Sequence, residues 1–292
     1  YKVYWEDGAQ ITPPHDKGIM DEVKAVTDFA TVKTMEKEEA KKAGLYEVIG
    51  VAIDDAYIAE LKKLVVHQDA IDQVKDTLKI VYTPLHGTGN IPARRILKEL
   101  GFENVYVVPE QELPDGDFPT VSYPNPEAAE AFELGLKLAR EVDADIVLAT
   151  DPDADRLGVR VKDRNGEYHD LTGNMSGCLL ANYELSQRKA VNGSLPEDGA
   201  LVKTIVTTNL ADAIAKGYGV NLIEVLTGFK YIGQQILGFE NSGKGTYLFG
   251  FEESYGCLIG TYARDKDAIV ATMALCEAAA YYKTQGKTLW DA

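Results

Sequence analysis

The sequence has no long hydrophobic run and few cysteines, and both absences exclude classes of protein. No apolar stretch in the 292 residues approaches the roughly 18 that a transmembrane helix needs, so we expect no membrane partner. The three cysteines are too few and too widely spaced for a disulfide framework or a zinc site. We therefore expect reduced, buried thiols in a cytoplasmic protein.

Positive charge is also scarce. The chain carries 30 Lys and Arg against 46 Asp and Glu, which gives a net charge of −16. Such a molecule repels polyanions, so we expect no nucleic-acid partner, and any phosphate must be bound by local positive charge. The hydrophobic content of 45% is enough for two packed domains and excludes a disordered chain.

Strand and helix patterns alternate in two consecutive series. The first has predicted strands at 78–82, 104–108, 144–150 and 157–161, with helices at 91–100 and 126–141. The second has predicted strands at 200–207, 221–226 and 245–249, with helices at 175–190, 210–216, 231–237 and 268–283. This order predicts two α/β domains with mixed, mainly parallel sheets flanked by helices, joined near residues 171–174.

The most specific motif is Asp-Pro-Asp-Ala-Asp-Arg at residues 151–156, directly after a buried strand. Ligand sites of α/β sheets collect at that edge, and three alternating carboxylates repel one another unless a divalent cation lies between them. Magnesium is the natural candidate, and a solvated acidic loop is the alternative. An EF-hand is excluded because Arg156 and Lys162 stand where it needs Gly and Glu. A phosphatase of the haloacid-dehalogenase type stays open.

Three further features are ambiguous from the residues alone. Glu252 and Ser254 follow a strand and can bind sugar hydroxyls, but such pairs are common on surfaces. Lys203 interrupts an apolar strand, so it either reaches the strand edge or faces an anion. The Gly-rich turn at 83–90, which contains His86, fits neither standard nucleotide motif. It is either a phosphate cradle or a tight turn that could brace the acidic loop.

These motifs resemble, in order, those of the α-D-phosphohexomutases of the phosphoglucomutase and phosphomannomutase type. That family carries an Asp-Gly-Asp-Ala-Asp-Arg metal loop, and here only the Gly differs, as Pro152. The resemblance implies that Mg²⁺ is bound by Asp151, Asp153 and Asp155. It further implies catalytic roles for Arg156 and Lys266, and substrate contacts for Glu252, Ser254, Thr227, Gly228 and Lys203.

The resemblance also implies a function. Family members have four domains and move a phosphoryl group between a phosphoserine and a hexose 1- or 6-phosphate, through a hexose 1,6-bisphosphate. No serine of this chain lies in the family's Thr-x-Ser-His-Asn-Pro context, and residues 1–5 resemble the segment that follows it. We therefore expect the catalytic serine upstream of Tyr1.

By the same resemblance, residues 1–45 are the end of domain 1, 46–172 form domain 2 with the metal loop, and 173–292 form domain 3 with the sugar-recognition loop. The expected partners are hexose phosphates, hexose 1,6-bisphosphate, and domains 1 and 4 of the same polypeptide. We predict that the parent is most similar in activity to phosphoglucomutase and that this chain alone is inactive. The alternatives are a non-enzymatic α/β protein that binds metal or sugar phosphate, and the phosphatase named above.

Overall fold

Residues 2–292 are described by the structure, a computed structural model, and residues 2–50 form a largely exposed arm. The arm contains α1 (His15–Ala25), a 3₁₀ turn (Phe29–Thr31) and α2 (Lys37–Lys42). Only Ala9 is buried in this stretch. Because so little apolar surface of the arm is buried, its position is set by polar contacts with the rest of the molecule.

The first domain is a five-stranded sheet in the order β2-β1-β3-β4-β5. Its strands are β1 (Lys79–Thr83), β2 (Asn104–Val107), β3 (Ile146–Thr150), β4 (Leu157–Lys162) and β5 (Tyr168–Leu171). Its helices are α3 (Gly50–Lys62), α4 (Gln68–Val74), α5 (Asn90–Leu100) and α6 (Glu133–Val142), with 3₁₀ turns at Pro109–Gln111 and Ala129–Phe132. Strands β1, β2 and β3 are mutually parallel, whereas β4 pairs antiparallel with β3 and β5 pairs antiparallel with β4.

The second domain is a four-stranded sheet in the order β7-β6-β8-β9. Its strands are β6 (Gly199–Thr204), β7 (Asn221–Val225), β8 (Thr246–Phe251) and β9 (Cys257–Ile259). Its helices are α7 (Gly173–Asn192), α8 (Leu210–Tyr218), α9 (Phe229–Ser242) and α10 (Ala268–Thr284). Only the β8–β9 pair is antiparallel. The predicted fold class of two mixed, mainly parallel α/β domains is confirmed.

Helix α10 joins the two domains. Each of its residues from Ala268 to Ala280 is buried, and all but Thr272 and Glu277 are apolar, as expected of a helix that contacts protein on every side. It packs against α4 and α5 of the first domain and against β9 and α7 of the second. One continuous cluster of buried apolar side chains therefore extends through both domains. The first turn of α10 points at the end of β3, where the acidic motif lies.

The three cysteines, Cys178, Cys257 and Cys276, are buried and free. Burial raises the pKa of each thiol, which keeps the thiols protonated and unreactive. Across residues 2–292, each helix is too short or too polar to cross a bilayer.

Candidate functional site

The metal loop (Asp151–Arg156) is folded around the side chain of its first residue. Asp151 Oδ1 accepts hydrogen bonds from the backbone N–H groups of Asp155 and Arg156, each at 2.9 Å. Ala154 takes a left-handed conformation with φ 57°, which turns the loop back on itself. One oxygen each from Asp151, Asp153 and Asp155 lie within 4.8 Å of one another. A compact set of carboxylate oxygens is the ligand type that Mg²⁺ prefers, so these residues fit that ion.

Two ammonium groups lie against one side of this loop. Lys2 Nζ and Lys266 Nζ are each 2.5 Å from Asp155 Oδ2, and Lys2 Nζ is also 3.5 Å from Asp153. Although burial works in the opposite direction, Lys266 and Lys2 hold the pKa of Asp155 below its usual value. Burial and the neighbouring Asp155 carboxylate raise the pKa of Asp151 to about 7. Asp151 is therefore the carboxylate of the loop whose charged form most needs a nearby cation.

Arg156 adds a third cation near the loop. Its Nε lies 3.9 Å from Asp151 Oδ2 and 3.8 Å from Asp155 Oδ1, too far for a hydrogen bond to either. The same nitrogen is buried and has no hydrogen-bond partner within residues 2–292. A buried donor left in this state is costly unless a ligand supplies the acceptor.

The Gly-rich turn at 83–90 packs against the metal loop and is hydrogen-bonded to it. Thr88 donates two hydrogen bonds to the carbonyl oxygen of Pro152, from its N–H at 2.8 Å and its hydroxyl at 3.1 Å. A Cβ atom on Gly87 would lie 2.4 Å from Cα of Pro152, so only glycine fits. The ring of His86 instead lies 2.9 Å from the hydroxyl of Thr120 and 3.2 Å from the carbonyl of Leu113. The turn thus supports the metal loop through Thr88, and the side chain of His86 connects the turn to residues 113–120.

The sugar loop (Glu252–Gly256) connects β8 to β9. Glu252 is buried, and its carboxylate lies 3.5 Å from the hydroxyl of Ser254. Burial raises the pKa of Glu252, while the ammonium of Lys266 opposes that shift. The carbonyl of Tyr255 accepts a hydrogen bond of 3.0 Å from the N–H of Leu157, just beyond the metal loop. The two loops are therefore joined through the backbone.

A cleft of about 960 Å³ opens beside the metal loop. Asp153 and Asp155 line it together with the cations Lys2, Lys266 and Arg264. The Arg264 side chain is only 11% exposed, with Nη2 2.5 Å from Glu240, while Nη1 has no partner among the described residues. The cleft therefore combines a carboxylate cluster with several cationic groups, as a site for a metal and an anion requires.

None of the five predicted substrate residues lines this cleft: Glu252 and Ser254 lie on the sugar loop, and Lys203, Thr227 and Gly228 lie on β6 and at the start of α9. Lys203 is fully buried in β6, with Nζ 2.8 Å from Asp212 and 3.1 Å from Glu224. Two carboxylates thus compensate the cation that looked anomalous in the strand. Thr227 and Gly228 form the bend that begins α9. The assignment of all five residues to substrate stays a prediction.

Lys2 and Tyr4 line this cleft, yet neither was predicted from the sequence. Tyr4 donates a hydrogen bond of 2.7 Å from its hydroxyl to Asp265, next to Lys266. Lys2 pairs with Asp155, 153 positions away. Residues 1–5 resemble the segment that follows the family's serine loop, but that resemblance does not assign either residue to the metal loop. The one available signal was physical, since a loop with three carboxylates requires cations close to it.

Comparison with known proteins settles the family. Residues 55–166 match the model described as phosphoglucomutase/phosphomannomutase, alpha/beta/alpha domain II, and residues 172–292 match domain III. The chain belongs to the phosphoglucomutase/phosphomannomutase family. The recognition drawn from the three motifs is therefore confirmed.

Relatives of this family member have different names and are about twice as long. Human glucose 1,6-bisphosphate synthase is 37% identical over 297 residues, covering 99% of this chain and 46% of that protein. Human phosphopentomutase is 35% identical over 292 residues, covering 99% and 47%. The chain thus spans about half the length of these curated relatives. The crystal structure of a putative phosphomannomutase from Thermus thermophilus has the same fold, with a TM-score of 0.65 at 24% identity over 82% of this chain and 49% of that one.

Proposed function

We propose that this chain supplies the metal loop and the sugar loop of a magnesium-dependent phosphohexomutase. The full protein would interconvert a hexose 1-phosphate and a hexose 6-phosphate through a hexose 1,6-bisphosphate, with phosphoglucomutase as the reference activity. The observation that carries this proposal is the cluster of three carboxylates beside a cleft lined by Lys2, Arg264 and Lys266. Five aspartates line the same cleft, so a phosphorylated ligand would need bound Mg²⁺ in addition to these three cations.

The residues divide into two groups by role. Asp151, Asp153 and Asp155 would hold Mg²⁺, which offsets negative charge on a phosphoryl group during transfer. Lys266 and Arg156 would orient that phosphoryl group, because both lie at the carboxylate cluster and can donate to its oxygens.

The second group would recognise the sugar. Glu252 and Ser254 are adjacent hydrogen-bonding groups on the sugar loop, and the loop is fixed to the metal-loop domain at Leu157. Lys203, Thr227 and Gly228 are assigned to substrate on the family resemblance alone. A Glu252→Ala variant should bind glucose 6-phosphate more weakly without a change in Mg²⁺ affinity. Equal sugar affinity in calorimetry would contradict the role of Glu252.

We further propose that residues 1–45 continue a serine-bearing domain and that a fourth domain binds the distal phosphate, in a cytoplasmic protein. On this view the chain alone should show no mutase turnover. The test is an assay of this chain with glucose 1-phosphate, glucose 1,6-bisphosphate and Mg²⁺. Turnover near that of a full-length phosphoglucomutase would overturn the proposal that the nucleophile lies on another domain.

A mutase acting on pentose phosphates is a second candidate, favoured by the 35% identity to human phosphopentomutase. The two candidates share the metal loop and differ in the sugar that the sugar loop accepts. Calorimetric titration with glucose 6-phosphate and with ribose 5-phosphate, each in excess Mg²⁺, separates them. Tighter binding of ribose 5-phosphate would favour the pentose reading.

The metal assignment has its own test in Asp153→Asn. The Asp153 side chain is 65% exposed, so its replacement should leave stability unchanged. Loss of one carboxylate ligand should weaken Mg²⁺ binding by about tenfold or more. Asp117→Asn, in another exposed loop, is the matched control. Equal Mg²⁺ affinity in wild type and Asp153→Asn would remove this loop as the metal site.

A further inference from the structure

The first turn of α10 is hydrogen-bonded directly to the metal loop. The N–H of Ala268 donates to the carbonyl oxygen of Ala154 at 3.0 Å, at the residue where the loop turns back in a left-handed conformation. Two positions earlier, Lys266 reaches Asp155. The shape of the metal loop in the first domain therefore depends on where a helix of the second domain begins.

Asp267 fixes that beginning. Its Oδ1 caps the helix by accepting from the N–H groups of Ile269 at 2.7 Å and Val270 at 3.2 Å. Its Oδ2 accepts from the hydroxyls of Tyr57 at 2.7 Å and Tyr262 at 2.5 Å. The carboxylate is almost fully buried, and four donors leave it no freedom to rotate. Tyr262 precedes Asp267 in the same loop, whereas Tyr57 comes from α3 of the first domain, and all three residues line the cleft.

We propose that Tyr57 is a positioning residue of the metal site, acting through Asp267. The path runs from the Tyr57 hydroxyl to the Asp267 carboxylate, through the first turn of α10, and from Ala268 to the backbone of Ala154. In residues 2–292, Tyr57 makes no hydrogen bond to any of the three metal-loop carboxylates. Its effect on the metal is therefore indirect, by holding the loop in the shape that brings the carboxylate oxygens together. This inference rests on the proposed magnesium site.

The same helix offers a matched control for general loss of stability. The hydroxyl of Tyr183 donates to the buried carboxylate of Glu277 at 2.9 Å, which is also a phenol–carboxylate bond on α10. Glu277 lies ten residues beyond Asp267, or about 15 Å along the helix axis. Both Tyr57→Phe and Tyr183→Phe thus remove a phenol–carboxylate hydrogen bond at α10. The Tyr57 bond lies next to the metal loop, and the Tyr183 bond lies far from it.

The experiment compares the whole chain with these two variants. Mg²⁺ affinity is measured by calorimetric titration, and protection of the Ala268 amide is measured by hydrogen exchange without metal. We expect Tyr57→Phe to bind Mg²⁺ about threefold to tenfold more weakly, the range for one lost hydrogen bond. We expect its Ala268 amide to exchange faster. Tyr183→Phe should match wild type in both measurements even if its melting temperature falls.

The outcomes separate this inference from the proposed function. If wild type binds Mg²⁺ and Tyr57→Phe equals it in affinity and in Ala268 protection, the positioning role is wrong and the metal site stands. If both variants weaken Mg²⁺ binding equally, the effect is general destabilisation and the positioning role is again wrong. If wild type itself binds no Mg²⁺, the proposed metal site is overturned, and this inference with it.

Discussion

The metal loop and the sugar loop have similar positions in their domains but are stabilised by different contacts. Each follows a buried strand, and each is backed by a glycine that has no room for a side chain, Gly87 behind the first and Gly173 behind the second. The metal loop owes its charge balance to Lys2 and Lys266, which come from distant parts of the chain. Among the described residues, Glu252 of the sugar loop has no cation within salt-bridge distance. The sugar loop is held by burial and by backbone contacts, including the hydrogen bond from Leu157 to Tyr255.

This difference indicates what each loop is sensitive to. Three carboxylates repel one another, so the metal loop keeps its shape only with cations and backbone contacts from elsewhere in the fold. The sugar loop closes on itself through a hydrogen bond of 2.9 Å from the N–H of Glu252 to the carbonyl of Gly256. We therefore expect metal-loop function to respond to changes in the surrounding charges and sugar-loop function to changes in backbone packing.

The largest effects should come from the two backing glycines. A Cβ at residue 173 would lie 2.1 Å from the carbonyl oxygen of Glu253, and one at residue 87 would lie 2.4 Å from Pro152. Gly173→Ala and Gly87→Ala should each lower the free energy of unfolding by about 3 kcal/mol, because backbone must move. Mg²⁺ affinity should fall in Gly87→Ala, and glucose 6-phosphate affinity in Gly173→Ala.

The control for both is Gly238→Ala in α9, where nothing lies within 4 Å of the added Cβ. It should be neutral or stabilising by up to about 1 kcal/mol in denaturant unfolding. If Gly87→Ala and Gly173→Ala each weakened both ligands equally, the two loops would not be held independently.

Metal-linked stability should be the next largest effect. Mg²⁺ at about 100 times its dissociation constant should raise the unfolding free energy by about 2.7 kcal/mol, since only the folded loop assembles the ligands. Asp151→Asn should abolish that rise, whereas Glu252→Gln should keep it. The measurement is thermal unfolding with and without Mg²⁺. A rise of the same size in Asp151→Asn would place the bound ion somewhere other than the metal loop.

Removal of the Ser254 hydroxyl should have a smaller effect. Ser254→Ala loses one hydrogen-bonding group of the sugar loop, so glucose 6-phosphate should bind about threefold to tenfold more weakly. Mg²⁺ affinity should not change. Ser242→Ala, on the exposed end of α9, is the control. Calorimetry that showed equal sugar affinity in Ser254→Ala and Ser242→Ala would exclude Ser254 as a sugar contact.

The smallest effect should be a pH dependence at Glu252. Burial raises the pKa of Glu252 in the folded protein, so the folded state keeps a proton that the unfolded chain releases near the ordinary carboxyl pKa of about 4.3. The resulting stabilisation is complete below that pH and is lost as pH rises through the folded pKa. Glu252→Gln cannot ionise, so its stability relative to wild type should increase from pH 4 to pH 7. If the difference in unfolding free energy between Glu252→Gln and wild type stayed constant over that range, burial would not raise the pKa of Glu252.

The sequence predicted the parts of the site whose geometry is local. Alternating aspartates at the end of an apolar strand indicated the metal loop, because strand burial and carboxylate spacing are both visible in a few residues. Lys2 was not predictable in this way, since its ion pair with Asp155 depends on how the arm crosses the finished fold. Lys203 was predicted either to reach the strand edge or to face an anion, and its partners Asp212 and Glu224 could not be predicted because they lie on other elements.

Prediction of secondary structure was likewise limited to features that are visible in the local sequence. Strand β9 has three residues, too few for a periodic pattern, and it was missed. The helix predicted at 126–141 becomes a 3₁₀ turn followed by α6 from Glu133. Within that turn, the carboxylate of Glu130 accepts hydrogen bonds from the N–H and hydroxyl of Ser122, at 2.8 Å and 2.6 Å. This contact between residues eight positions apart is not encoded by helical periodicity.

The burial of α10 has a consequence for recombining members of this family. The helix belongs to the second domain in chain order, yet it packs against α4 and α5 of the first domain. A chimaera that exchanged residues 172–292 for those of a relative would pair a foreign α10 with native α4 and α5. A stable chimaera should therefore take α4, α5 and α10 from the same relative. The segment that has to be exchanged is larger than either of the two matched family domains.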